Sequence, residues 1–566
     1  MTSAAVDVSL DVPRDVTRVT RARIGLLILG FALLFAVIAA RLVQLAVFPD
    51  AHIARRGTIG DAISASRPDV LDREGRLLAT DIKSASLYAE PRRIIDVPDA
   101  VDRLTAILPD LDTREVRERL SSKRGFAWLK REISPAQRAA IHRLGLPGIG
   151  FLRESRRVYP AGAEFSHVIG LVNVDNQGIA GLEKWIDGGG LAELRLAGLT
   201  TDKTLKPVSL AVDLSVQHAV RDELAAALTR YQAAGAAGLV LDVRTGEIVS
   251  MASLPDFDPN QPRGLHDKSK LNRLTTGVFE MGSTFKALTL AMALDSGKFQ
   301  LGSPVDARLP LQYGRFTIHD FHGQKRMLSL AEVFTYSSNI GAARLALAHG
   351  VEAHQAFLKK MGQLDRLRTE LPESAAPLVP KNWGELNTVT IAFGHGLSVA
   401  PLQAVMATAA LVNGGYLIPP TFLKRTEEEA KKFAVRVIKP ETSEKMRYLF
   451  RLNVERGTAR RAEVPGYYVG GKTGTTEKVE AGRYVKNKRL TAFMGVFPTD
   501  APRYLVLVML DEPKGTPETR GEATSGLNAV PTGGRIIARI GPLLGMAPRE
   551  LPPAERLFTV AQRSAR

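Results

Sequence analysis

The sequence is organised around Phe279-Glu280-Met281-Gly282-Ser283-Thr284-Phe285-Lys286, which is followed by an apolar run rich in alanine and leucine. Gly282 interrupts the backbone ahead of this run and Gly297 follows it, so the pattern predicts a helix that starts near Ser283. Residues three apart share one helix face, which places the Ser283 hydroxyl beside the Lys286 amine. A buried lysine with a lowered pKa can deprotonate a serine. S-x-x-K alone is more typical of a capping serine with a solvated lysine one turn on.

Two more short motifs lie downstream. The first is Ser337-Ser338-Asn339, whose hydroxyl and amide in a loop can relay a proton and hold a substrate amide. The second is Lys472-Thr473-Gly474-Thr475, in a run of small residues that predicts an edge strand for pairing with a substrate backbone. A second ammonium at Lys472 would favour a neutral Lys286. The two threonine hydroxyls can bind a carboxylate, and free amides of the helix start and the strand can form an oxyanion hole.

The composition narrows the classes of function. The chain has 566 residues, 45% of them hydrophobic and 24% charged, which predicts ordinary globular domains. Its net charge of +17 comes without a zinc-finger spacing or an aromatic-basic RNA signature, so we expect no nucleic-acid partner. The absence of cysteine removes disulfides, thiolate metal sites and cysteine nucleophiles. His319-Asp320-Phe321-His322 holds the only tight histidine pair, and without a third ligand at helical spacing we expect no metal.

The N-terminal region has the pattern of a membrane anchor. Residues 1–23 are polar and include several arginines, and the apolar run that begins at Ile24 continues beyond Arg41. Because a span needs about 20 apolar residues, we expect a single transmembrane helix at 24–45. Arginines ahead of a span favour a cytoplasmic tail at 1–23, with the rest of the chain outside. A cleaved signal peptide is the alternative, although its apolar core would be shorter.

Beyond the anchor, the pattern divides the chain into two domains and a tail. Residues 60–210 contain turn-rich stretches without a nucleophile, base or ligand set, so we expect a non-catalytic domain that serves packing and docking. Residues 211–545 carry β-branched hairpin patterns at both ends with helical patterns between them. This arrangement predicts an α+β domain whose antiparallel sheet joins the two ends of the domain. We expect a flexible tail at 546–566.

The three motifs together resemble the active-site signature of penicillin-binding proteins and serine β-lactamases. Three stretches of residues 60–210 resemble the boxes of class B penicillin-binding proteins, namely Leu71-Asp72-Arg73-Glu74-Gly75, Arg157-Val158-Tyr159-Pro160 and residues 178–183. This resemblance implies that residues 60–210 form that family's elongated pedestal, a domain of the penicillin-binding protein dimerisation type. Phe393-Gly394-His395-Gly396-Leu397-Ser398 favours the division-specific, FtsI-like members over the elongation-type members. The chain departs from the usual pattern, without changing a reacting group, at Pro68, Glu74, Met281 and Thr476.

The resemblance implies a serine β-lactamase-like transpeptidase domain that cross-links peptidoglycan stem peptides during septal wall synthesis. Its catalytic residues would be Ser283, Lys286, Ser337, Asn339 and Lys472, and its substrate-binding residues Thr473, Gly474 and Thr475. Ser283 would attack the penultimate D-Ala of a D-Ala-D-Ala stem, with Lys286 as base and Ser337 as proton relay. Asn339 would hold the substrate amide, and the Ser283 and Thr475 amides would form the oxyanion hole.

The resemblance also implies partners and a location. β-Lactams would acylate the same serine, and no metal or organic cofactor is implied. The anchor and pedestal would dock with an FtsW-type membrane glycosyltransferase and other division proteins. The protein would lie in the inner membrane, with its catalytic domain in the periplasm.

Several alternatives share the three motifs. An elongation-type transpeptidase would use the same chemistry, whereas a D,D-carboxypeptidase or β-lactamase would pass the acyl group to water. A β-lactam sensor would acylate without turnover, and a structural scaffold would tolerate loss of the serine. The formation of dimeric cross-links rather than trimmed peptides separates these classes.

Overall fold

The computed structural model describes residues 26–40, 67–190, 206–264, 267–314, 316–480 and 483–550. The chain divides into two compact units, Met1–Ala65 and Ser66–Arg566. In the first unit, residues 26–40 form a helix. Within the ranges just given, we find no helix that combines the length and the apolar character needed to cross a membrane. The predicted tail at 1–23, both ends of the predicted span at 24–45 and residues 551–566 of the predicted C-terminal tail lie outside the described residues.

The second unit combines strands and helices along its whole length. In chain order the strands are β1 Val70–Leu71, β2 Leu77–Ala89, β3 Ala127–Ile133, β4 Ile149–Val158, β5 Leu171–Val172, β6 Gly178–Ala180, β7 Val208–Ser209, β8 Gly235–Asp242, β9 Ile248–Leu254, β10 Pro304–Asp306, β11 Leu311–Tyr313, β12 Phe316–Ile318, β13 Met327–Ser329, β14 Tyr416–Leu417, β15 Val435–Arg436, β16 Gly470–Glu480, β17 Arg483–Phe497 and β18 Tyr504–Asp511. The α-helices are Val97–Ile107, Thr113–Leu120, Pro135–Arg143, Ser166–Ile169, Gly181–Trp185, Leu214–Arg230, Lys286–Asp295, Leu330–Thr335, Asn339–Leu347, Val351–Lys360, Glu385–Ile391, Pro401–Val412, Glu427–Phe433, Pro440–Arg456 and Ala529–Leu543.

The N-terminal part of this unit is built on one sheet and a buried ion cluster. Strand β2 pairs with β3 and β4, and β1 pairs with both β2 and β7. The fully buried carboxylate of Glu183 accepts hydrogen bonds from Arg67 Nε (2.8 Å) and Arg157 Nε (2.7 Å). A buried carboxylate needs such partners because desolvation penalises an unpaired charge. The boxes around Arg157 and Glu183 therefore tie the sheet to the 178–187 segment.

The C-terminal part is built on a five-stranded antiparallel sheet in the order β16-β17-β18-β8-β9. Pairing of β18 with β8 joins the two ends of the predicted α+β domain, as the sequence pattern indicates. Side chains alternate between the sheet faces, because successive residues of a strand point to opposite sides. Val506 and Val508 of β18 pack with the helices Leu214–Arg230 and Ala529–Leu543, whereas Leu505 and Leu507 belong to the core of the other face.

Ionic contacts join the two parts near the first helix of the C-terminal part. Arg76 donates to Asp72 (2.7 Å) and to Asp213 (2.9 Å). Asp213 also caps the helix Leu214–Arg230 by accepting from the Ser215 and Val216 amides. Arg73 pairs with Glu247 in the turn between β8 and β9 at 3.1 Å. Because a helix cap and a sheet turn both take part, these contacts tie the N-terminal part to the core of the C-terminal part.

Candidate active site

Gly282 sets the turn that carries Ser283. Its backbone is left-handed, with φ of +55°, and a Cβ there would lie 2.7 Å from Thr476 Cγ2. Gly282–Thr284 form a 3-10 turn, and the α-helix spans Lys286–Asp295. The α-helix therefore starts later than the sequence predicted, because the left-handed glycine and the Phe285 N–H bond to the Gly282 carbonyl (2.9 Å) tighten the first turn.

The amine of Lys286 lies at the centre of the three motifs. Its side chain is fully buried, and Nζ lies 3.0 Å from Ser283 Oγ and 3.1 Å from Ser337 Oγ. Nζ also donates to Asn339 Oδ1 at 2.7 Å and to the Ser337 carbonyl oxygen. A neutral amine has two N–H groups and one lone pair. The two carbonyl-type acceptors take the N–H groups, which leaves the lone pair for a hydroxyl proton.

Burial and a neighbouring cation both favour that neutral form. Desolvation, together with the positive charge of Lys472, holds the pKa of Lys286 well below its usual value, whereas Asp320 acts in the opposite direction. Lys472 Nζ donates to Ser337 Oγ at 2.9 Å and lies 5.5 Å from the centre of the Phe334 ring. Burial lowers the pKa of Lys472 to about 7. One serine hydroxyl thus bridges two buried amines.

The S-x-N turn is held in a strained conformation by an acid that the sequence analysis did not assign. Ser337 is left-handed, with φ of +57°. Asp320 accepts from Ser338 Oγ at 2.7 Å and from the Ile340 amide at 2.9 Å, and Ser338 itself caps the helix Asn339–Leu347 by accepting from the Gly341 amide. Asn339 Nδ2 donates to the carbonyl of His319 at 2.9 Å. The predicted loop is therefore a turn into a helix, and Asn339 is its first residue.

The stretch that carries the tight histidine pair contacts the S-x-N motif through a backbone carbonyl and an aspartate. The backbone and carboxylate of the 319–320 turn serve the S-x-N motif. Within the described ranges, no group of three or more His, Cys, Asp or Glu side chains is placed to hold a metal ion. The sequence signal for this role was an aspartate, Asp320, between two histidines and ahead of the S-x-N motif. Its spacing from Ser338 does not indicate a contact.

Strand β16 carries the K-T-G motif on the edge of the large sheet. It pairs with β17 on one side and lies at the end of the strand order. A Cβ at Gly474 would lie 2.7 Å from the Met281 carbonyl, so this glycine lets the strand approach the serine turn. Thr473 Oγ1 lies 2.8 Å from Thr458 Oγ1, and Thr475 Oγ1 accepts from the Ser525 amide at 3.1 Å.

A group of contacts around Glu280 lies next to the serine turn. Glu280 accepts from the Gly396 amide at 2.7 Å and from the Tyr484 hydroxyl at 3.2 Å. Desolvation raises the pKa of Glu280. The His395 ring lies 5.9 Å from the Tyr484 ring, and burial and Lys286 lower the pKa of His395 to about 4. These contacts join the serine turn, the 394–399 segment and the β16–β17 hairpin.

The geometry brings all three predicted motifs into one hydrogen-bonded cluster. Ser283, Lys286, Ser337 and Asn339 are linked through a single amine, and Lys472 joins through Ser337. Such a cluster can deprotonate a serine, hold a carboxylate beside an ammonium and pass a proton through a hydroxyl.

Comparisons with known proteins agree with this chemistry. Residues 236–537 match the penicillin-binding protein transpeptidase domain family, and residues 62–184 match the penicillin-binding protein dimerisation domain family. The chain is 38% identical to the probable peptidoglycan D,D-transpeptidase FtsI of Caulobacter vibrioides, over 94% of this chain and 90% of that protein. It is 30% identical to the peptidoglycan D,D-transpeptidase FtsI of Escherichia coli K12, over 87% of this chain and 86% of that protein.

Solved structures show the same fold. The crystal structure of penicillin-binding protein 3 from Mycobacterium tuberculosis, complexed with aztreonam, matches with a TM-score of 0.65 at 25% identity, over 87% of this chain and 98% of that chain. A peptidoglycan synthetase from Bifidobacterium adolescentis matches in fold with a TM-score of 0.66. The motif cluster, the two domain families and the relatives agree, and the chain belongs to the class B penicillin-binding proteins, as an FtsI-like peptidoglycan D,D-transpeptidase.

Proposed function

We propose that Ser283 is the nucleophile that carries the peptidyl group in peptidoglycan cross-linking. The observation that carries this proposal is the fully buried Lys286 amine 3.0 Å from Ser283 Oγ, with its N–H groups directed at Asn339 and the Ser337 carbonyl. The lone pair of the neutral amine takes the Ser283 proton as Oγ attacks the penultimate D-Ala carbonyl. The terminal D-Ala leaves, and an ester of Ser283 remains.

The leaving amine needs a proton, and Ser337 is placed to deliver it. Its hydroxyl lies between Lys286 Nζ at 3.1 Å and Lys472 Nζ at 2.9 Å, so a proton can pass through it to the departing nitrogen. In the deacylation step the same path runs in reverse, from the attacking amine to Ser283 Oγ. Ser337 is therefore a relay, and the charged form of Lys472 supports it.

The edge strand β16 recognises the substrate. A donor peptide extends β16 by backbone pairing, and Lys472, Thr473 and Thr475 bind the carboxylate of its terminal D-Ala beside the closely approaching Gly474. The amides of Ser283 and Thr475 face the developing oxyanion. Asn339, which accepts a hydrogen bond from Lys286, also contacts the substrate amide. Edge-strand placement and the small residue at Gly474 support these roles.

We also propose the wider organisation that the sequence pattern predicts. Residues 24–45 anchor the chain in the inner membrane with residues 1–23 in the cytoplasm, residues 60–210 form the pedestal, and residues 211–545 act in the periplasm. The arginines before the apolar run support this orientation. The FtsI names of the relatives support a septal role with an FtsW-type glycosyltransferase and other division proteins as partners. Loss of septal localisation on deletion of 1–45 would test the anchor.

Cross-link formation tests the chemistry. The purified protein is incubated with a pentapeptide-bearing peptidoglycan oligomer, and products are separated by mass. We expect cross-linked dimers from the wild type and none from Ser283→Ala, while Ser122→Ala in the pedestal, a serine remote from the site, retains wild-type yield. Trimmed monomers without dimers would instead assign a carboxypeptidase, and wild-type yield from Ser283→Ala would refute the nucleophile.

A further inference from the structure

Large side chains lie exposed on either side of the S-x-N turn. Phe321 is 72% exposed, Met327 42% and Tyr336 40%. Phe321 follows Asp320, whose carboxylate holds Ser338, and Tyr336 precedes Ser337 in the chain. Single exposed hydrophobic residues are common on protein surfaces, but a group of them beside reacting atoms indicates a binding surface. We refer to Phe321, His322, Lys325, Met327 and Tyr336 as the S-x-N lip.

The lip is ordered by contacts of its own. The Phe321 and His322 rings meet edge to face at 4.5 Å, and Arg326 lies 5.9 Å from the centre of the Tyr336 ring. Arg326 is held by Glu332 at 2.6 Å. The Lys325 ammonium is exposed, and the carboxylate of neighbouring Asp320 is directed at the S-x-N turn. The lip thus offers exposed aromatic faces and an exposed positive charge.

The chemistry places the second substrate on this side of the site. The donor peptide runs along β16, and its leaving amine departs beside Ser337 Oγ, the hydroxyl between the two lysines. Transfer to an amine is the reverse of that departure with a different amine, so the acceptor nitrogen enters where the leaving nitrogen left. Because the acylated donor still lies along β16, the remainder of an acceptor longer than D-alanine extends away from that strand, over the lip that flanks the S-x-N turn.

We propose that the S-x-N lip is the docking surface for the acceptor stem peptide, an amine-bearing peptide with free carboxylates. This assignment rests on the proposed role of Ser283. The acceptor ammonium first loses one proton to solvent. Its nitrogen then bonds to the ester carbonyl carbon, the bond from that carbon to Ser283 Oγ breaks, and the second proton returns to Oγ through Ser337. Aromatic faces contact the peptide, and Lys325 attracts its carboxylates.

Partitioning of the acyl-enzyme tests this assignment. A thioester donor acylates the protein in the presence of either D-alanine or a stem tripeptide with a free side-chain amine, and amide product is compared with hydrolysis product. We expect Phe321→Ala to lower the amide-to-acid ratio with the tripeptide about ten-fold, since losing one aromatic contact at an interface weakens binding by roughly that factor. The ratio with D-alanine, which is too small to reach the lip, and the acylation rate stay at wild-type values.

Two further variants keep the test interpretable. Phe433→Ala removes an aromatic side chain that is 56% exposed, on a helix outside the three motifs, and is expected to leave both ratios unchanged. Lys325→Gln is expected to lower the amide-to-acid ratio with the tripeptide more at low salt than at high salt, because salt screens the attraction between exposed charges.

The outcomes separate this inference from the proposed function. Equal tripeptide ratios for Phe321→Ala and wild type, with normal acylation, would overturn the lip assignment alone. Parallel loss with D-alanine would show an effect on the reacting groups and also overturn it. A wild-type dimer in solution that Phe321→Ala abolishes would assign the lip to a second copy of the chain. Absence of acylation in the wild type would instead refute the role of Ser283.

Discussion

Replacing Lys472 with methionine removes a buried ammonium but keeps a long, unbranched side chain. Ser337 Oγ lies 3.1 Å from Lys286 Nζ and 2.9 Å from Lys472 Nζ, so the two nitrogens are at most about 6 Å apart. With an effective dielectric constant of about 20, two unit charges at about 6 Å repel by roughly 2.8 kcal/mol. Because the nitrogens are no farther apart than this and about 1.4 kcal/mol corresponds to a factor of ten, the charge of Lys472 favours the neutral form of Lys286 by at least about a hundred-fold.

The pH profile of acylation reports this coupling. In the proposed mechanism neutral Lys286 is the base, so the rate of acylation by a fluorescent penicillin should rise as pH passes upward through the lowered pKa of Lys286. Charged Lys472 supports carboxylate binding, so the rate falls again near pH 7, where burial places the pKa of Lys472. In Lys472→Met we expect the acidic limb to move to higher pH by about two pH units and the alkaline limb to disappear.

Stability measurements provide the control. Because burial lowers the pKa of Lys472 from 10.5 to about 7, protonation of this side chain destabilises the fold at every pH below 10.5, and most strongly below about 7. Methionine removes that penalty, so the melting temperature of Lys472→Met at pH below 7 should equal or exceed that of the wild type. An acidic limb at its wild-type position in a variant of such stability would refute the electrostatic coupling.

Two other substitutions test how the motifs are positioned. Asp320→Asn removes the negative charge that raises the pKa of Lys286, so the acidic limb of the acylation profile should move to lower pH. The hydrogen bonds to residue 320 should also weaken, which should lower the free energy of unfolding in urea titrations by about 1–3 kcal/mol. An unmoved limb would show that Asp320 has no electrostatic role. Gly394→Ala would place a Cβ 2.1 Å from the Gly282 carbonyl oxygen at a φ of +85°, so acylation should slow at least about ten-fold with circular dichroism unchanged. A wild-type acylation rate would contradict the close packing of these two segments.

The antiparallel sheet was predictable because its hairpins are local patterns. β-Branched runs flanking Gly246 and residues 498–503 mark β8, β9, β17 and β18, and short turns determine their pairing. The convergence of S-x-x-K, S-x-N and K-T-G was predictable because the three motifs occur in the order of the penicillin-binding protein signature. The individual hydrogen bonds among the three motifs are known only from the structure.

The details that the sequence did not indicate depend on long-range contacts or on backbone geometry. Asp320 serves the S-x-N turn through hydrogen bonds to residues about 20 positions away, and no short spacing rule covers them. The 3-10 start of the serine helix depends on a left-handed Gly282 packed against Thr476, where the pattern alone suggested an ordinary helix start. The left-handed backbone of Ser337, a residue that rarely adopts this conformation, is sustained by the surrounding contacts.

The position of a covalent β-lactam adduct tests the central claim most directly. The protein is incubated with a penicillin, its intact mass is measured, and the adduct is located by peptide mapping. We predict one equivalent of drug on the peptide that contains Ser283, and no added mass on Ser283→Ala with an unchanged melting temperature. A drug adduct on any other residue, or an adduct that persists in Ser283→Ala, would contradict the account.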